Sequence, residues 1–220
     1  MSGLFGCSSN SQIDSLRVIV EQMGEQMRHQ PYSMVETASP APTVGLGRLG
    51  IGIFNRTPQP AVSPDKRVQV WLCGEFYHQA ERRAEMVRRG ELNADADDVK
   101  LALSVYLIAG AKGLTELDGA FLIAVWDERA GELVLVNDRY GLYPHYFAHH
   151  TGEFVFAPEI KGVLCAPSVR RHLNLVAIAE YLRFQQLLGE KTWFEGIELL
   201  PAASLIRYRV ADDQLSLARY

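Results

Sequence analysis

Apolar residues recur along the chain with two different periods, and each period predicts an element. Ile13, Leu16, Val20, Met23 and Met27 alternate three- and four-residue steps, the spacing of a buried helical stripe, and Ser11 with Asp14 three residues on supplies a helix start. Segment 30–42, rich in Ser, Thr and Pro, reads as extended chain or loop. From Val44 to Ile53 glycine alternates with apolar residues, which predicts a strand whose backbone is closely approached. Pro58, Pro60 and Pro64 punctuate a loop, after which Val68, Val70 and Leu72 alternate with Gln69, Trp71 and Cys73 in a period-two strand ending at Gly74. Tyr77 to Arg89 is heavily charged and reads as an exposed helix. The stretch Val99 to Ile108, opening after Asp95, Asp97 and Asp98, is apolar on nearly every side and predicts a helix buried between layers.

From Asp118 onward the pattern shortens. Strand-like runs at 121–126, 133–136, 145–148 and 153–157 are separated by turn-forming segments at 128–131, 140–144 and 149–152, which predicts an antiparallel meander. Asn174 caps a helix carrying Leu175, Ile178, Ala179 and Leu182 on one face, and two short strands follow near Leu205 and Leu215. No internal repeat or linker interrupts the pattern. Helices at the start and middle combined with consecutive antiparallel strands predict a layered α+β domain rather than a doubly wound parallel sheet.

Composition narrows the functions. A chain of 220 residues is expected to form one large domain spanning 1–220. With 22 basic against 26 acidic residues the net charge is -4, so the positive field of a general nucleic-acid binder is missing. Cys7, Cys73 and Cys165 are odd in number and widely spaced, which suits neither a disulfide framework nor a zinc site and points to a reducing compartment, the cytoplasm. No apolar run reaches the roughly 18 residues of a membrane span, and the opening lacks the layout of a secretory leader, so no membrane association is expected.

Several chemical motifs fail on mechanism. Gly45-Leu46-Gly47-Arg48-Leu49-Gly50 matches the dinucleotide glycine pattern, yet a proline-punctuated loop follows instead of the helix whose N-terminus must meet the pyrophosphate. Adjacent His149 and His150 would point to opposite faces of a strand and read as a solvated hairpin tip. His29, His78, His145 and His172 lack metal-ligand spacing. Neither a metal nor a cofactor is expected.

The ordered blocks LDGAFLIAVWDERAGELVLVNDRYGLYPHYF, FVFAPEIKGVLCAP, LNLVAIAEYLRF and WFEGIELLPAASLIRY resemble the glutaminase domain of asparagine synthetases, a class II glutamine amidotransferase, and the likeness runs from Gly45 to Tyr208. The resemblance implies an N-terminal-nucleophile hydrolase architecture, a four-layer αββα sandwich of two antiparallel sheets. It also implies a cysteine at position 2 that attacks the glutamine amide, its own amine serving as base. Here the opening is Met1-Ser2-Gly3-Leu4, so Ser2 occupies the nucleophile position. A hydroxyl is far harder to deprotonate than a thiol of pKa about 8.5. The family's Asn-Gly-Glu, whose asparagine amide and glycine N–H stabilise the oxyanion, aligns with Cys73-Gly74-Glu75. A thiol is a poor donor, and losing one oxyanion donor typically costs about 10²- to 10³-fold in turnover.

By the same resemblance Arg48 retains the guanidinium that would pair with the α-carboxylate of glutamine, and Glu75 belongs to the substrate-holding set. The family aspartate that grips the α-ammonium falls on Ala96, with Asp95 and Asp97 to either side. Either aspartate substitutes for it after a small slip, or Asp95 and Asp97 only cap the following helix. Asp138, Arg139, Gly141 and Pro144 match a block in which an Arg-Asp pair and a tight turn organise the sheet. Cys7 is followed by Ser8-Ser9-Asn10, unlike a nucleophile exposed by trimming, and Cys165 reads as a small core residue. No Ser-Gly-Gly-x-Asp-Ser pyrophosphate loop occurs. Three functions stay open: a degenerate domain that binds an ATP-dependent synthetase domain or subunit or forms a homodimer, a working hydrolase using Ser2, and a domain that binds glutamine or another amino acid without turnover.

Overall fold

The computed structural model describes residues 2–10 and 16–220. Strand β1 (Gly3–Ser9) is buried along its whole length, which both-face coverage demands. Helix α1 (Leu16–Gln26) turns Leu16, Ile19, Val20 and Met23 inward on the expected stripe; Ile13 and the Ser11–Asp14 start lie outside the described residues. Segment 30–42 contributes the edge strand β2 (Met34–Ala41), followed by β3 (Val44–Gly50). The expected close approach is real at Gly45, where a Cβ would lie 2.6 Å from Val20 Cγ2 and 2.8 Å from Leu16 Cδ2, so α1 rests directly on β3.

Short β4 (Ala61–Val62) precedes β5 (Val68–Phe76), which runs two residues past Gly74, and the charged helix α2 (Ala80–Arg88) therefore starts later than its charge pattern suggests. Helix α3 (Asp98–Leu114), β6 (Gly119–Asp127), β7 (Glu132–Asn137), β8 (Tyr146–His150), β9 (Glu153–Ala157) and one-turn α4 (Ile160–Val163) follow. The chain continues through α5 (Leu175–Phe184), β10 (Glu198–Leu199), β11 (Ser204–Arg209) and β12 (Gln214–Arg219).

The strands form two six-stranded sheets in the orders β10-β8-β9-β1-β3-β2 and β12-β11-β7-β6-β5-β4, and every pairing is antiparallel. Period-two alternation explains the layering. Leu4 and Leu46 of the first sheet meet Trp71, Leu122 and Tyr208 of the second in the inter-sheet core. Neighbours Phe5 and Leu49 turn the other way to pack with Met23 and Met27 under α1 and α4, while Leu72 and Ile123 turn towards Leu101, Ala102 and Val105 of α3. The result is the αββα sandwich implied by the resemblance.

Three expectations need correction. The predicted meander is two hairpins in different sheets, β6–β7 in the second and β8–β9 in the first. The chain crosses at 138–144, where the Asp138 carboxylate accepts backbone N–H bonds from Phe121 at 3.2 Å, Tyr140 at 2.9 Å and Leu142 at 3.1 Å. Backbone donors, rather than an arginine, hold this aspartate. Helix α3 is an outer layer: one face meets the sheet, and Leu107 and Ile108 on the far side are exposed. Helix α5 is capped as expected, Asn174 Oδ1 accepting from Ala177 N at 3.0 Å, and carries the expected apolar face, of which Leu175 and Leu182 lie open to solvent while Ala177 alone of the helix is buried. No helix among the described residues is long and apolar enough to cross a membrane.

Candidate active site

The loop from Ile51 to Pro60 ties the two sheets together and determines what the candidate residues can reach. Arg48, at the inner end of β3, is 4% exposed. Its guanidinium meets the Glu36 carboxylate, Nε at 2.7 Å and Nη2 at 2.5 Å, and Nη1 donates to Asn55 O at 2.6 Å. The cation expected to receive a ligand's carboxylate is thus paired within the chain. On the facing sheet, the Gly74 N–H expected in the oxyanion hole donates to Asn55 Oδ1 at 3.1 Å, while Asn55 Nδ2 donates back to Gly74 O at 2.8 Å. Gly74 adopts φ +110° and a Cβ there would lie 2.0 Å from Ala120 O, so no other residue fits this point of β5.

Cys73, in the asparagine's place, is 3% exposed and its thiol belongs to the inter-sheet core. Burial pushes that thiol up to about 12 against the opposing pull of Arg48, so the group is a neutral S–H at physiological pH. Glu75 is half-buried and accepts from the Tyr77 hydroxyl at 3.1 Å. Ser2, half-buried, immediately precedes β1. Asp97 resolves towards the cap: Oδ1 accepts from Lys100 N at 3.1 Å and Oδ2 from Thr57 Oγ1. The structure therefore brings Arg48, Cys73, Gly74 and Glu75 to one end of the sandwich and joins Asp97 to them through Thr57, which also accepts from Arg48 Nη2 at 3.4 Å.

Comparison with known proteins decides the family. The profile of the glutamine amidotransferase domain family matches residues 1–220. The chain belongs to this family. Asparagine synthetase [glutamine-hydrolyzing] 3 of Bacillus subtilis (strain 168) is 29% identical over 149 residues, covering 67% of this chain and 24% of that protein. Asparagine synthetase [glutamine-hydrolyzing] 2 of the same organism is 28% identical over 181 residues, 79% of this chain and again 24% of the relative. The chain thus spans about a quarter of the length of these relatives. Among solved structures, the glutamine phosphoribosylpyrophosphate amidotransferase from B. subtilis complexed with ADP and GMP superposes with a TM-score of 0.65 at 12% identity, covering all of this chain and 49% of that one. That likeness establishes the N-terminal-nucleophile-hydrolase type of fold.

In this glutamine amidotransferase domain several residues near the site carry no sequence motif. His145 is wholly buried behind β1: Leu4 N–H donates to Nε2 at 3.1 Å and Nδ1–H donates to Tyr143 O at 2.8 Å. Burial holds its ring down at about 4, and the Leu4 N–H aimed at Nε2 leaves no place for a second proton. Tyr143 has its hydroxyl pushed up to about 12, chiefly by burial, with the negative forms of Cys73 and Glu75 adding to the effect; it lines the same end of the sandwich. Glu36 and Asn55 were equally silent, because a carboxylate on an edge strand and an amide in a loop become informative only once their partners are known.

The other cysteines lie away from the site. Cys7 points to the helix side of β1 and donates to buried Glu153 Oε1 at 3.1 Å, and Cys165 is half-buried beyond α4 with Sγ 3.4 Å from Lys161 O. At the β8–β9 hairpin both His149 and His150 are exposed, as expected of a solvated tip, and His149 Nε2 lies 2.8 Å from Asp213 Oδ1. Among the described residues no cluster of His, Cys, Asp and Glu could hold a metal ion.

The cap at Asp97 gives a small, specific prediction. Asp97→Ala is expected to cost about 1 kcal/mol, lowering Tm by roughly 2–4 °C for a domain of this size, and Asp97→Asn, which keeps a cap acceptor, to cost less. Calorimetry of both variants checks it; a stability unchanged in the alanine variant removes the cap assignment.

Proposed function

We propose that this domain is a catalytically degenerate amidotransferase that serves as a structural and partner-binding element for an ATP-dependent, amide-forming synthetase domain or subunit. One observation carries the reading: the backbone N–H and the guanidinium that a glutamine would need are already bonded to Asn55 and Glu36. Ser2 and Cys73 support it from the chemical side. Nucleophilic attack requires an activated group and an empty donor set aimed at the developing oxyanion. Here the attacker position holds an alcohol, and the neighbouring thiol is a buried, neutral, weak donor. Three free cysteines fit a reducing cytoplasm.

The full protein incubated with glutamine is expected to release glutamate no faster than buffer. Saturable release with the purified protein alone would establish the working Ser2 hydrolase instead. A cavity of about 360 Å³ bordered by Met34, Arg48, Phe54, Asn55 and Arg56 favours a second reading, capture of an amino acid or acyl carboxylate without turnover. Exposed Arg56, with no ion pair among the described residues, would be its cation, and calorimetric titration with glutamine and glutamate separates that reading from the first.

A further inference from the structure

The outer face of helix α5 has the polarity of a partnered surface and is left uncovered by the described residues. It is rigidly built: Asn174 caps its start, Gln185 ends it in the left-handed conformation, Tyr181 packs edge-on to Trp193 at 4.9 Å and Glu180 pairs with Lys191 at 2.8 Å. These contacts all fix its inner side. At 100° per residue, Leu182, Leu175, Ala179, Arg183 and Val176 form one contiguous stripe on the outer side. Leu175 and Leu182 are each 72% exposed and Val176 is 62% exposed. Such a stripe, flanked by exposed Leu173 and Leu188, is an interaction face rather than scattered surface apolarity.

Arg183 sits within the stripe, and no ion pair among the described residues neutralises it. A two-fold self-association through this face would lay the stripe onto its own copy, and the stripe holds no carboxylate to receive Arg183. A partner with an apolar surface and a carboxylate opposite Arg183 meets both requirements. The proposed function calls for such a partner, and the matched relatives have about three-quarters of their length beyond the region aligned here. We infer that the outer face of α5 is the seat of the synthetase domain or subunit, with Arg183 paired to an acidic residue of that partner.

This inference rests on the partner-binding reading and is tested apart from catalysis. The photoreactive residue p-benzoylphenylalanine is placed at Leu182, and separately at exposed Val62 on the opposite part of the fold as a control, in the full-length protein in its producing cells. Adducts are identified by peptide mass spectrometry. Position 182 is expected to crosslink to peptides of an ATP-dependent amide-forming synthetase, in the same or a separate polypeptide, and position 62 is not. Adding Arg183→Glu should lower the yield about tenfold, as reversal of a desolvated interfacial charge does. Adducts to residues 173–188 of a second copy, adducts to lipid alone, or a yield no higher than the control would each overturn the assignment. Glutamine hydrolysis by the same preparation would overturn the degenerate reading and leave the docking result standing.

Discussion

The triple variant Ser2→Cys, Cys73→Asn, Asn55→Gly is expected to hydrolyse glutamine about 10²-fold faster than the double variant Ser2→Cys, Cys73→Asn, because one oxyanion donor is worth about 10² to 10³ in turnover. The double variant restores the attacking thiol and the asparagine amide, but Asn55 Oδ1 still accepts from the Gly74 N–H at 3.1 Å. Asn55 has φ +51°, so glycine takes over its backbone conformation without strain and removes the competing acceptor together with the Nδ2–H bond to Gly74 O. Glutamate release, measured with saturating glutamine, reads the result. Equal rates in the two variants would mean that Asn55 yields freely to substrate and is no obstacle. Glu36 is deliberately retained: its removal would leave Arg48 as an uncompensated buried charge, a loss of roughly 3–5 kcal/mol that could unfold the protein before any chemistry was tested.

Folding stability is expected to fall by roughly 3 kcal/mol between pH 6.5 and pH 4 through His145 alone, from a shift of about two and a half units at about 1.4 kcal/mol each. The sign follows from a folded pKa depressed to about 4 against an ordinary 6.5. As pH drops, the unfolded chain takes up the proton first, so the contribution is complete above pH 6.5 and disappears as pH approaches 4. The carboxylates of Asp127 and Asp213, which arginine and histidine partners hold below their ordinary 3.8, act mainly beneath that window. Urea denaturation across the range should show this slope in the parent protein. His145→Gln, which has no proton to gain, should flatten it. A parallel slope in the glutamine variant would remove His145 as its source.

The fold was legible where side-chain periodicity has a single structural solution. Alternation at Val68–Cys73 and in the runs after Asp118 located strands, and the helical spacing of Leu16, Val20 and Met23 located α1. Which sheet each hairpin joins was not legible, because the crossing depends on three backbone N–H groups converging on Asp138. The stripe of α5 was correctly read as apolar, but periodicity says only that a face wants cover, not that the same polypeptide supplies it. At the site, the replaced groups Ser2 and Cys73 were visible as letters in a motif. The occupation of Gly74 and Arg48 was not, since it arises from Asn55, 19 positions from Gly74 and brought in by the 51–60 loop, and from Glu36, 12 positions from Arg48 and set opposite it by the β2–β3 register.

That loop also has a mechanical role. Its side chains hold Gly74 and Leu72 of one sheet and reach Asp97 at the head of α3, while its backbone carbonyls at Asn55 and Thr57 accept from Arg48 of the other sheet. A clip spanning three of the four layers makes it costly to peel any one of them away alone. Amide protons of β3, β5 and the start of α3 should accordingly exchange as a single cooperative unit, with the sandwich opening all at once rather than leaf by leaf.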